Sequence, residues 1–283
     1  MKTALTIAAA AALSLAGAAA QTSWTYDFGT GTGIFTNANS SSTNFLPDPP
    51  LGGGTARVRV GTNGGGFSLV NPGGGSYLAG AASSGTGTSV AKFSIFNFAD
   101  PTPAFSVKFD AKFSGGGTGN WLFFAGSGAT FGNNADFANP QSFTGLKWSY
   151  AAGGAILSSN RSGTTWRQVT NANLLQDTSY LFEVFGNNGS DPIVYRDSLT
   201  LAPDTFDLWI NNSLAVSGLG KAGLSNGIGI NAFMFYGENS PGNTAMIELD
   251  NIVYANQVVP EPSMMALLAL AAVGLAAYTR RRK

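Results

Sequence analysis

Cysteine and histidine are both absent from this chain of 283 residues. Without cysteine an exported chain has no disulfide framework, so its stability must come from a packed core. Without histidine there is no Ser-His-Asp triad, no Cys-His pair, no HExxH zinc site and no imidazole general base. A metal would have to sit on oxygen ligands, which favours calcium over zinc. Charge is scarce as well, at 11% of residues. No long helical period appears between the two ends of the chain.

The ends are different in kind. Met1-Lys2 is a minimal positive start, Leu5 to Leu15 an alanine-rich apolar run, and Ala18-Ala19-Ala20 a small-residue cleavage site. That order is the pattern of a secretory signal peptide over residues 1–20, with its helix in the apolar run. Cleavage after Ala20 leaves Gln21 as the new N-terminus. At the other end, Pro260-Glu261-Pro262 refuses helix, because each proline fixes its own φ and lacks an N–H. Met264 to Tyr278 follows as an uncharged apolar run, and Arg280-Arg281-Arg282-Lys283 closes the chain. The run predicts a short transmembrane helix over about 263–279, slightly under the ~20 residues that span a bilayer comfortably. The cationic cluster should remain on the cytoplasmic side.

In these three parts and their order, residues 256–283 resemble the PEP-CTERM sorting signal of bacterial surface proteins. The resemblance implies recognition and removal by a membrane protease of the exosortase type, after export by the secretion machinery. On that analogy Pro260, Glu261 and Pro262 form the protease recognition element, and Arg280, Arg281 and Arg282 halt translocation. The implied route is an inner-membrane-anchored precursor, then the cell surface or extracellular matrix. An ordinary single-pass anchor is the plainer alternative.

Setting aside Lys2 and Arg280 to Lys283 leaves 10 of the 15 cations against 15 carboxylates, a net charge of −5. No basic patch remains to steer nucleic acid onto the domain, so DNA and RNA binding are excluded. Residues 21–255 are the length of one ordinary domain. Up to about residue 85 they are rich in glycine, with triplets at Gly52 to Gly54, Gly64 to Gly66 and Gly73 to Gly75 that suit turns. A linker over parts of Asn37 to Gly80 competes there with short strands.

Beyond Val90 strand signals are frequent. Phe105, Val107, Phe109, Ala111 and Phe113 alternate with Ser106, Lys108, Asp110 and Lys112, the mark of a half-buried strand. Further strands are predicted at Trp121–Ala125, Leu146–Ala151, Thr164–Thr170, Ser179–Phe185, Ile193–Asp197, Thr205–Asn211, Asn231–Tyr236 and Ala245–Tyr254. Turn residues such as Asn187-Asn188-Gly189 and Pro241-Gly242 separate them. Many short strands at this spacing predict an all-β, antiparallel jelly-roll sandwich. TSYLFEVFGNN, TFDLWINN and AMIELDNIVY, from Thr178 to Tyr254, resemble strands of concanavalin-like and laminin-G-like modules.

Three sets of residues are candidates for chemistry. Glu248 and Asp250 share one face of a strand, as a glycosidase carboxylate pair requires, but a third acid is missing. If first and last strands are neighbours, Asp27 meets Asp250 and Asn251, a set that could hold structural Ca²⁺. Trp209 falls opposite Phe206, Leu208 and Ile210 and beside Asp207, as a carbohydrate platform would. Trp148 and Trp166 have mixed flanks, and large rings commonly pack in cores. The sequence therefore predicts an exported structural or adhesive surface protein, not an enzyme, that binds exopolysaccharide. The alternative is a secreted glycan-active enzyme.

Overall fold

The computed structural model describes residues 22–35, 46–60, 65–86, 90–128, 136–196 and 198–258. The predicted signal segment with Ala18, Ala20 and Gln21, and the tail with Pro260, Glu261, Pro262 and Arg280 to Arg282, lie outside the described residues. So does the stretch predicted to span the membrane. Among the described residues no helix is long and apolar enough to cross a membrane.

In chain order the strands are β1 (Ser23–Tyr26), β2 (Gly33–Phe35), β3 (Thr55–Arg59), β4 (Gly66–Val70), β5 (Tyr77–Ala81), β6 (Ala91–Phe96), β7 (Ala104–Ser114), β8 (Asn120–Gly126) and β9 (Ser142–Tyr150). They continue with β10 (Ala155–Ser162), β11 (Thr165–Leu175), β12 (Ser179–Asn187), β13 (Ile193–Tyr195), β14 (Leu199–Leu201), β15 (Thr205–Ile210), β16 (Ser213–Gly220), β17 (Ala232–Gly237) and β18 (Met246–Ala255). They form two large antiparallel sheets. One runs β16-β15-β12-β7-β18-β5-β4-β2, with β1 also paired to β18, and the other runs β11-β10-β9-β8-β17-β6-β3. β13 and β14 make a separate hairpin. The protein is an all-β sandwich.

The alternation read from β7 is what joins the layers. Its phenylalanines point inward and are fully buried, while Lys108, Asp110 and Lys112 on the other face are half-buried. Phe109 stands 5.2 Å from Phe123 of β8 and 4.9 Å from Phe235 of β17, across the sandwich. Trp24 of β1 stacks on Phe233 of β17 at 6.1 Å. Edge-to-face and offset pairs such as these add about 0.5–1.5 kcal/mol each beyond the area they bury. Two of the buried polar tips find partners in the core: Trp121 Nε1 donates to Ala245 O at 3.1 Å, and Tyr254 OH to Ile230 O at 3.1 Å. Close packing also explains a glycine. A Cβ on Gly186 of β12 would sit 2.1 Å from the Phe105 ring, so only glycine fits that inward position.

The described part of the glycine-rich region is structured: β3, β4 and β5 are full members of the two sheets. The expected neighbourhood of first and last strands is also present, with Ser23 opposite Ala255 and Tyr26 opposite Ile252. β18 is the central organiser. Along one side it pairs with β7, and along the other first with β5 and then with β1. At that change of partner its register with β7 slips between Asp250 and Val253, and Asn251 takes a left-handed φ of 50°. Such bulges re-aim side chains.

A smaller apolar cluster lies under the β13–β14 hairpin. Phe185, Tyr195, Leu201 and Val258 form it, with Ala104, Ile193, Leu199 and Trp209 packed against it. Val258 is 4% exposed, so the folded domain runs to the last described residue.

Candidate functional site

The bulge of β18 opens a groove on the outer face of the larger sheet. Tyr77 of β5, Asp110 and Lys112 of β7, Ser179 at the start of β12, and Glu248 and Asp250 of β18 line it, around a volume of about 340 Å³. Ladder register places them. Asp110 is directly opposite Asp250, Lys112 is opposite both Glu248 and Ser179, and Tyr77 precedes Leu78, which pairs with Leu249. The alternation that buries the phenylalanines of β7 therefore presents its charges here.

The electrostatics are uneven. Lys112 Nζ lies 3.2 Å from Glu248 Oε1, so that carboxylate is paired. Asp110 and Asp250 face each other with like charge, an arrangement that destabilises a ladder. Asn251 eases it in part, donating its side-chain amide to Asp110 Oδ2 at 2.9 Å and its backbone N–H to Asp250 Oδ1 at 2.8 Å. Burial pushes the Asp250 carboxyl above the usual carboxylate range; the Asn251 N–H works against this, and the charges of Asp110 and Asp27 add to it. Asp27, Asp250 and Asn251 are thus brought together, and Asp110 joins them from a strand the sequence had not linked to the set. Among the described residues, however, no group of three or more acids is close enough to hold a metal ion. The set is an acidic corner. Glu248 and Asp250 share the outer face, as their i, i+2 spacing predicts.

The tryptophans sort differently. Trp148 is fully buried, a core residue. Trp209 lies on the outer side of β15, as the alternation predicts, and cross-strand from Glu183. Its ring is not an open platform. The Arg196 guanidinium, from the β13–β14 turn, sits 3.8 Å from the ring centroid and donates from Nη2 to both Glu183 oxygens at 2.8 Å. The indole N–H donates to Tyr195 OH at 3.0 Å, and that hydroxyl donates to Asp207. Burial pushes the Tyr195 phenol well up, and its bond to Asp207 adds to the shift, so it stays a donor. Trp209 is the floor of the hairpin's packing. Trp166 is half-buried on the outer face of the other sheet, with Lys147 Nζ 4.9 Å above its ring.

Sequence reasoning missed Tyr77, Ser179 and Arg196. For Asp110 and Lys112 the signal was present, as the charged face of β7. For Arg196, which reaches Trp209 from a hairpin turn with a φ of 43°, no local pattern announces the contact.

Residues 258–283 match the family model described as the PEP-CTERM protein-sorting motif. The chain carries this sorting motif, the mark of an exported, membrane-anchored precursor sorted to the cell surface. No curated protein matches the chain. Among solved structures it is similar to botulinum neurotoxin type C (11% identity, 81% of this chain and 50% of that chain, TM-score 0.44). It is also similar to the receptor binding domain of botulinum neurotoxin D (13%, 83% and 52%, TM-score 0.44) and the serotype G binding domain (12%, 83% and 51%, TM-score 0.43). The chain spans about half the length of these structures, and likeness of this degree does not bear on ligand or activity.

Proposed function

We propose that this is a structural or adhesive protein of the bacterial surface or extracellular matrix, whose sandwich holds exopolysaccharide in the groove over β5, β18, β7 and β12. An exosortase-type protease and the secretion machinery are its partners during delivery. One observation carries the reading: a sorting motif begins on Val258, the last described residue, buried in a sandwich with an open groove lined by charged side chains. The groove is within the size range of small-ligand sites. Asp110, Ser179, Glu248 and Asp250 offer acceptors for sugar hydroxyls, and Tyr77 supplies an aromatic edge.

The test is retention on polysaccharide from the producing cells. Tyr77→Ala and Asp110→Asn should each weaken it about tenfold, or about 1.4 kcal/mol. Unchanged retention in both would remove the groove from consideration. The rival reading, a glycan-active enzyme, is favoured by Asp250, whose raised pKa suits a general acid. It predicts release of reducing ends that Glu248→Gln abolishes; the adhesive reading predicts none.

A further inference from the structure

Sorting the strands into their two sheets separates the charges. The seven strands of the smaller sheet contain Arg57, Arg59, Lys92, Lys147, Arg161 and Arg167, and not one Asp or Glu. The nine strands of the larger sheet contain Asp110, Glu183, Asp207, Glu248 and Asp250 against Lys108 and Lys112 alone. The strand charges are therefore divided between the two sheets, although Arg59 and Lys92 are buried, Lys92 is paired with Asp136, and Glu183 is paired with Arg196.

Each face has a region where the charge is left over. On the smaller sheet, Lys147 and Arg161 flank Trp166, at 4.9 and 6.0 Å from its ring, with Phe124 alongside. Among the described residues neither cation has a carboxylate partner, and Arg161 Nε is covered without a hydrogen-bond partner. On the larger sheet, Asp110 and Asp250 stand opposed without an ion pair among the described residues, since Lys112 is engaged by Glu248 and Lys108 lies two positions along β7. The two regions complement each other in sign, and they point away from opposite sides of one body.

We infer that this chain associates with further copies of itself, the Lys147–Trp166–Arg161 strip of one copy seating on the Asp110–Asp250 groove of the next. A second copy is the occupant because the molecule carries both halves of the contact. The contact is heterologous, and its two halves lie on opposite faces, so it does not close on itself and builds linear stacks. It is also salt-sensitive, because the Debye length falls from about 10 Å at 0.1 M to about 3 Å at 1 M salt. A neighbour and a glycan compete for the same carboxylates, yet self-association does not depend on glycan binding.

The experiment is sedimentation velocity of the full chain in a mild nonionic detergent, at about 50 mM and about 500 mM salt. The weight-average mass should be at least about twofold higher at low salt. Lys147→Glu with Arg161→Glu reverses the sign of the strip and leaves the groove acidic, and Asp110→Lys with Asp250→Lys reverses the sign of the groove and leaves the strip basic. Each double variant should remain dispersed alone, and an equimolar mixture should restore the larger species. Should the lysine variant lose its β-type circular dichroism, Asp110→Asn with Asp250→Asn serves, and should dissociate at lower salt than the parent. A parent that stays dispersed at low salt would overturn the inference. So would association that neither reversal changes, which would belong to the apolar tail, or single losses that mixing does not repair.

Discussion

Asp250 faces Asp110 in register, so the native state holds one carboxylate where its ionised form is disfavoured. A carboxyl whose pKa is raised on folding binds more protons in the native state than in the unfolded chain, between its ordinary and its raised value. Stability then falls as pH rises through that window. The ionised Asp250 of neutral pH is a cost that protonation relieves. Asp250→Asn, which keeps the acceptor for the Asn251 N–H, should therefore melt higher than the parent at pH 7. The gap should close as pH is lowered toward about 4; a gap independent of pH would refute this account. Trp209 leads to a different expectation. It supports Arg196 and the hairpin, so Trp209→Ala should lower stability by about 2–3 kcal/mol in urea melts. At this scale the sequence was half legible. Alternation put Trp209 and Glu248 on the correct faces, whereas the partners of Asp250 and Trp209 depended on a register and a hairpin set by contacts distant in the chain.

Lys221 shows how the loops at one end of the sandwich are held. Its ammonium donates to Asn188 after β12, Asp204 before β15 and Asn226 between β16 and β17, at 2.9, 2.7 and 2.5 Å. One side-chain cation thus gathers three connections among oxygen acceptors. Lys221→Met should cost on the order of 1–2 kcal/mol, allowing for solvent screening at the half-exposed Asp204. It should also speed exchange of the Gly227 amide, which donates to Asn188 O. Unaltered exchange would mean the loops stand without the lysine. Elements with clean periodicity, β7 above all, could be read from the chain. β10 could not, because its inward positions include Ser158 and Asn160, and neither could β6, buried on both faces without alternation. β16, an edge strand with little burial, had no pattern to show.

For the whole molecule, the two terminal segments predict the intact mass of the protein recovered from cell surface and medium. It should correspond to a chain beginning at Gln21 and ending near Pro260 to Ser263; a mass retaining Arg280 to Lys283 would make it a plain anchored protein. The sandwich class followed from turn spacing and the lack of helical period. The partition of charge between sheets did not, since strands of one sheet are scattered from Thr55 to Gly237 along the chain. Only long-range pairing collects them.

Val258, buried beneath the hairpin, also governs how the sorting signal is offered. Two residues of extended chain reach at most about 7 Å, so Pro260 can never stray far from the wall of a folded domain. In an unfolded precursor the same tripeptide trails from a long free tether. Folding shortens that tether to almost nothing, and an enzyme that cuts near Pro260 must work against a finished body. The join between cargo and address label is thus itself a report on whether the cargo has been packed.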